Sequence, residues 1–165
     1  MDDKSFILFS WVVDGAAIGW LCEPPTDAPP TGVCSAHDVL LRSFGGIVER
    51  FEEPPSWLLN HNSVLTEKEA SFDASFLHDY AWAFPDERVP VDVGDFYSVA
   101  REANGNTTLC HRNTAEIVLF APDHSFEHVR PWHSLPEYTL YSLDGAPDFP
   151  SFVETIAEQW LAAIV

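Results

Sequence analysis

Asn104-Gly105 is the feature that most limits what this chain can become. It stands between two short runs of strand-forming residues, Phe96 to Val99 and Thr107 to Cys110. Asn-Gly supplies the positive φ angles of a type I′ turn, so the segment predicts a β-hairpin. After the polar break Arg112-Asn113-Thr114, a third strand is expected over Glu116 to Phe120. It should end at Ala121-Pro122, because proline has no N–H to give a central strand. The result is a three-strand antiparallel meander, one face of which must be covered.

The flanking segments add elements to this centre. Ser5 to Cys22 is almost wholly apolar, with Asp14 its one charged residue. A membrane span with Gly15-x-x-x-Gly19 as a helix contact is one reading. A charge at mid-span is costly, however, and Asp14-Gly15 reads better as the turn of a hairpin between residues 5–13 and 16–22. A buried helix is the remaining alternative. Pro24, Pro25, Pro29 and Pro30 make the next stretch a stiff loop. Ser35 and Asp38 have capping-box spacing before Val39, Leu40 and Phe44, with Gly45-Gly46 placed to end a helix. Ile47 to Phe51 reads as a strand, and Trp57-Leu58-Leu59 as a short strand or turn. Thr66 opens a helix expected to run through Phe72, Phe76, Leu77 and Tyr80 towards Trp82 and Phe84, with its aromatic residues on one buried face. Phe126 to Leu135 can hold a short strand, and Pro136 to Leu143 an edge strand. Ser151, with Glu154 three residues on, is the expected cap of a last helix whose apolar stripe is Phe152, Ile156, Trp160 and Ile164. The fold class is therefore α+β, an antiparallel sheet of about five to six strands with helices packed on one face. A chain of 165 residues reads as a single domain over 1–165.

Charge bounds the function. Eight Lys and Arg stand against 26 Asp and Glu, a net charge of −18. That argues against nucleic acid and anionic membrane as direct partners; solubility alone is the plain reading of the acidity, and a basic protein partner the sharper one. The acid is spread evenly. Residues 1–55 hold nine carboxylates against three cations, 66–95 eight against two, and 123–158 seven against one. Any patch must be assembled by folding. Cys22, Cys34 and Cys110 form no even framework and no Cys-x-x-Cys, so free thiols and a cytoplasmic location are expected. The acidic Met1-Asp2-Asp3-Lys4 does not suit a signal peptide.

No nucleophile elbow, phosphate loop, dinucleotide fingerprint or His-Glu-x-x-His occurs. Cys110-His111 cannot act as a pair, since neighbours on a strand point to opposite faces. His124, His128 and His133 with Asp123 are the metal candidates. Histidines four apart meet only on a helix, and this segment runs into Pro131, so scattered surface histidines are the plainer reading and no cofactor is expected. What remains is a binding surface. Its candidate residues are the acidic loop Asp86-Glu87 through Asp92 and Asp95, the turn residues Asn104 and Asn106, and Asp123 with His124. Tyr97, Arg101 and Trp132 would serve as anchors if exposed. The bland alternative is that Asp95 and Asn106 only cap turns and Tyr97 is core. A ligand-binding or enzymatic cleft lined by Trp57, Tyr80, Trp82 and the histidines is the competing function.

The order of motifs also resembles a known family. Asp95-x-Tyr97-x-Val99-Ala100, then Asn104-Gly105-Asn106 before Leu109-Cys110, then Val118-Leu119-Phe120 and Asp123-His124, is similar to the sheet core of the SMI1/KNR4 (SUKH) superfamily. Val39-Leu40-Leu41-Arg42-Ser43-Phe44-Gly45-Gly46 resembles that family's helix ending in glycine. Phe149-Pro150-Ser151-Phe152-Val153-Glu154 resembles its C-terminal segment. The resemblance spans residues 35 to 163, while residues 1 to 34, an apolar hairpin and a proline-rich loop, depart from the family's usual opening. It implies a non-catalytic binder. Bacterial members are widely immunity proteins that neutralise a cognate toxin, often a nuclease, and fungal relatives are regulatory interaction proteins. No toxin-contact residue carries over by motif.

Overall fold

The computed structural model describes residues 6–13, 16–51, 63–102, 104–123 and 129–164. Among the described residues nine antiparallel strands form one sheet in the order β1-β2-β3-β4-β5-β6-β7-β9-β8. They are β1 Phe6–Val13, β2 Ala16–Cys22, β3 Ile47–Phe51, β4 Ser63–Val64, β5 Phe96–Arg101, β6 Thr107–His111, β7 Ile117–Phe120, β8 Val129–Pro131 and β9 Leu140–Leu143. The α-helices are α1 Ser35–Leu41, α2 Glu67–Ala70 and α3 Phe149–Ile164, and a 3₁₀ helix spans Ser75–Ala83. The α+β class therefore stands, with more strands than the five or six expected. The apolar N-terminal stretch forms the hairpin β1–β2, with Val13 opposite Ala16. Asp14-Gly15 and Trp57-Leu58-Leu59 lie outside the described residues. No helix among the described residues is long and apolar enough to cross a membrane.

The meander β5–β6–β7 lies where the Asn-Gly signal put it, but the turn differs. Gly105 has positive φ, at +94°. Its N–H donates to Glu102 O and the Glu102 N–H donates to Asn106 O, so the hairpin closes through a longer loop than a two-residue type I′ turn. β9 pairs with both β7 and β8, so Leu140–Leu143 is an interior strand and β8 is the edge.

Strand alternation sends the side chains of the meander into two cores. Tyr97, Val99, Cys110 and Ile117 pack with Leu41 of α1 and Phe149 and Phe152 of α3. Phe96, Leu109, Val118 and Phe120 pack on the other face with Ala74, Leu77, Phe84, Trp132 and Leu140. The expectation of cover on one face is thus corrected. The α-helices cover one face, and the segment from Ala74 through the 3₁₀ helix to Val93 covers the other. Each large apolar side chain so buried contributes roughly 1.5–3 kcal/mol.

Local signals fared unevenly. Thr66 does cap α2, its hydroxyl accepting the Glu69 N–H at 3.1 Å, but α2 stops at Ala70. The chain then turns back on the sheet, where Phe72 O accepts from Ser98 N at 2.8 Å and Asp73 bridges Tyr97. These long-range bonds break the single helix expected through Phe84. Ser35 is the first residue of α1 and not its cap; Cys34 holds that position without a side-chain bond, and Asp38 pairs instead with Arg42 at 3.0 Å. Gly45-Gly46 does not end α1, which stops at Leu41. Gly46 has φ +87°, and a Cβ there would stand 2.6 Å from the Leu65 carbonyl carbon, so the glycines serve a backbone crossing. At α3, Asp148 is the capping residue, accepting both the N–H and the hydroxyl of Ser151 at 3.0 and 2.7 Å.

Candidate functional site

The cover over residues 73–95 is made of short turns held by their own side chains. Asp73 accepts the Ser75 N–H at 2.9 Å, and Asp92 accepts the Gly94 N–H at 3.0 Å. Hydrogen bonds from Ser75 hold the Asp73 carboxyl below its ordinary range. Leu77 and Phe84 point into the core, and the rings of Phe76 and Tyr80 meet Phe120 edge-on at 5.3 and 4.8 Å. With the apolar side turned inward, the outward side is acidic: Asp73, Asp79, Asp86, Glu87, Asp92 and Asp95 are all exposed. The cover's own cation, Arg88, lies 3.4 Å from Asp86 with both side chains mostly in solvent. Arg112, from the turn after β6, lies against the cover, donating to Gly94 O at 2.8 Å and helping to hold the Asp73 carboxyl low. A surface pair such as Arg88–Asp86 contributes little, and two cations against six carboxylates leave the cover net negative.

Trp82 stands on this cover with 78% of its surface exposed. The inward positions Leu77, Tyr80 and Phe84 leave it out of phase, so it does not join the buried aromatic face assigned to it from sequence. An indole left in water on a segment with six exposed carboxylates can take a cationic group, because its ring face attracts Lys and Arg while the net negative field steers them in.

The remaining sequence candidates divide. Asp92 and Asp95 lie on the cover. Asn104 and Asp123 are exposed but sit by the β5–β6 turn, since Thr107 pairs with Phe120. The length of β5 separates them from Asp95 by roughly 20 Å, so the structure does not bring them into one surface with it. Tyr97 and Asn106 are wholly buried and Trp132 is 8% exposed. These three expected contact residues are corrected to interior ones. Trp132 packs in the core and donates its indole N–H to Glu116 at 3.0 Å, and Asn106 donates its amide to Glu102 at 3.0 Å. Arg101 also turns inward, towards Glu69 at 3.5 Å and over the Phe72 ring at 4.8 Å. His124 and His128 lie outside the described residues. His133 is exposed at φ +48°, stacked edge-on against Trp132 at 4.2 Å. Among the described residues no group of three or more His, Cys, Asp or Glu is placed to hold a metal. The aromatic cleft is not assembled there either, because Tyr80 is spent on Phe120 and Trp82 faces solvent; Trp57 is outside the described residues.

A second cluster lies under α1, on the opposite face. The Tyr97 hydroxyl accepts the Cys34 N–H at 3.3 Å and lies 3.2 Å from His37 Nδ1 and 3.4 Å from Cys34 Sγ. His37 Nε2 lies 3.3 Å from Leu65 O. A carbonyl only accepts, so Nε2 carries the proton. Burial pushes the His37 pKa down to about 4, which keeps the ring neutral and leaves Nδ1 to accept from Tyr97. A hydrogen bond from the Cys110 thiol draws Cys34 down to about 6 against its burial. Cysteine, histidine and tyrosine are the residues of nucleophilic chemistry, yet Cys34, Cys110, His37 and Tyr97 are each 4% exposed or less. The cluster is a lock between helix and sheet. Glu69 forms a similar buried lock, accepting the hydroxyls of Ser63 and Ser98 at 2.5 and 2.6 Å. His111 is half-exposed and turned to Asn113 and Thr114, so it does not meet the Cys110 thiol in a catalytic pair.

No family model, curated protein or solved structure matches this chain.

Proposed function

We propose that this chain is a non-catalytic protein-binding module that meets a basic protein through the acidic cover 73–95, with Trp82 as its anchor. The observation that carries this reading is Trp82 itself, 78% exposed on a segment with six exposed carboxylates and one weakly paired cation. Aromatic anchors dominate interface energetics, and a surrounding field of one sign raises the on-rate of an oppositely charged partner.

The resemblance of residues 35 to 163 to the SMI1/KNR4 superfamily supports a narrower reading. The chain is then a cytoplasmic immunity protein that neutralises a cognate toxin by direct binding, and a basic nuclease is the toxin class its acidity fits. The SMI1/KNR4-like fold belongs to the same proposal.

The test is capture of partners by tagged protein at low and high salt, with Trp82→Ala beside wild type. A single basic protein, held tightly at low salt, released by salt and lost with Trp82→Ala, is the expected result. Attraction between surface charges is screened over about 10 Å at 0.1 M salt. No captured protein at either salt, or one bound equally by the variant, would sink the reading.

A further inference from the structure

The sheet ends in two unlike edges. At one end β8 has three residues, closes on Pro131 and carries Arg130, whose guanidinium reaches Asp144 at 2.6 Å. Brevity, proline and charge are the devices that keep foreign strands off an edge. At the other end β1 runs eight residues, Phe6–Val13, with no proline and no charged residue. Among the described residues only β2 pairs with it. β2, Ala16–Cys22, is also uncharged, so this end of the sheet is neutral over two whole strands.

We infer that β1 pairs antiparallel with β1 of a second copy across a two-fold axis, joining two sheets into one. An antiparallel edge is its own complement under a two-fold axis, because each residue that donates to the partner also receives from its equivalent. Charge selects the occupant. Each copy carries −18, so two copies repel least where carboxylates are fewest. The acidic cover fails that condition, whereas β1 and β2 hold no charged residue, the nearest carboxylates in sequence being Asp3 and Asp14 beyond the ends of β1. A basic partner, by contrast, gains nothing from a neutral edge. Eight residues make a seam of about 27 Å with roughly eight backbone hydrogen bonds. A single-strand seam of that length is small beside a standard stable interface, so the dimer is a weak one.

The pairing has a salt signature of its own. Salt screens the repulsion between two copies while leaving a neutral seam intact, so self-association strengthens as salt rises. Binding of a basic protein to the acidic cover moves the opposite way, which separates the two ideas if either fails. Sedimentation velocity on the whole chain from low to high micromolar, at low and high salt, is the experiment. We expect a monomer–dimer equilibrium that tightens with salt and weakens at least tenfold in Ser10→Lys, which sets two like charges near the axis. A chain that stays monomeric at the highest concentration and salt overturns the inference. So does a dimer that Ser10→Lys leaves intact while the circular dichroism spectrum is unchanged. If Ser10→Lys does not fold, single cysteines placed in turn at positions 8 to 12 decide. Oxidised dimers at one or two adjacent positions, and none for Asp144→Cys near the other edge, support the pairing. Crosslinking equal at all positions contradicts it.

Discussion

The two faces of the central strands β5–β7 are covered by different means. One carries α1 and α3, apolar packing from Leu41, Phe149 and Phe152, and the buried lock of Cys34, His37 and Tyr97. The other carries a chain of short turns and a 3₁₀ helix, whose inner side is as apolar but whose outer side holds six carboxylates and an exposed tryptophan. The polar groups beneath the helices, Cys34, His37 and Tyr97, are buried and bonded to one another, while Glu67, Lys68 and Glu154 of the helices face solvent. On the acidic cover, several carboxylates bond within their own turns and the rest face water. The first arrangement fixes the fold, and the second leaves chemistry available to a partner. A binding surface can be built on cover that the core already needs.

The comparison can be broken by mutation. Phe149→Ala on the helical face should cost about 3–5 kcal/mol of unfolding free energy, measured by denaturant titration, because it opens a cavity against α1 and the sheet. Leu77→Ala on the acidic cover should cost about 2–3 kcal/mol, near the low end for such a change, since short turns can settle into the space. A larger loss for Leu77→Ala would mean that the acidic cover, and not the helical face, is the stiffer of the two.

The buried lock should respond to pH. Burial sets the His37 pKa at about 4 in the folded chain, below the ordinary histidine value of 6.5. The unfolded chain therefore binds more protons between those two values. Stability from this group is fully present above about pH 6.5 and is lost as pH falls towards 4, by up to roughly 3 kcal/mol. Melting temperature followed from pH 7 to pH 4 should fall less steeply in His37→Gln than in wild type; parallel curves would remove His37 from the account. Tyr97→Phe leaves the Cys34 N–H and His37 Nδ1 buried without their partner, and should cost about 1–3 kcal/mol by the same denaturant titration.

The smallest effect on stability is expected at the site itself. Trp82→Ala should change unfolding free energy by less than about 0.5 kcal/mol, because the side chain is mostly in water. Its effect on a captured basic partner should be about 2 kcal/mol or more, roughly thirtyfold in affinity. Val39→Ala, at the 68%-exposed position on α1, should alter neither.

How much of this was legible follows from the range of each signal. The hairpin β1–β2 and the meander β5–β7 are local, and Asp14-Gly15, Asn104-Gly105 and Pro122 mark them in sequence. The break in the helix expected over residues 66–84 is set by the bonds of Phe72 and Asp73 to β5, across some twenty-five residues, which no local pattern carries. The insertion of β9 between β7 and β8 is non-local in the same way. At the site, the acidity of Asp86, Glu87, Asp92 and Asp95 is readable, whereas the aromatic spacing puts Trp82 on a buried face or in a cleft and not on an exposed surface. An aromatic residue carries the same letter inside and outside, and only its phase against Leu77, Tyr80 and Phe84 gives it away. Tyr97, Asn106 and Trp132 are interior for the converse reason: the fold buries them, and the Tyr97 hydroxyl, the Trp132 indole N–H and the Asn106 side-chain N–H find partners inside, while Asn106 Oδ1 has none among the described residues.

Amide hydrogen exchange of this chain, free and with the basic protein that the salt-dependent capture is expected to yield, tests the central claim most directly. The account predicts new protection across residues 75–95, with α1 over 35–41 unchanged. Protection confined to α1 and α3, with none on 75–95, would contradict it.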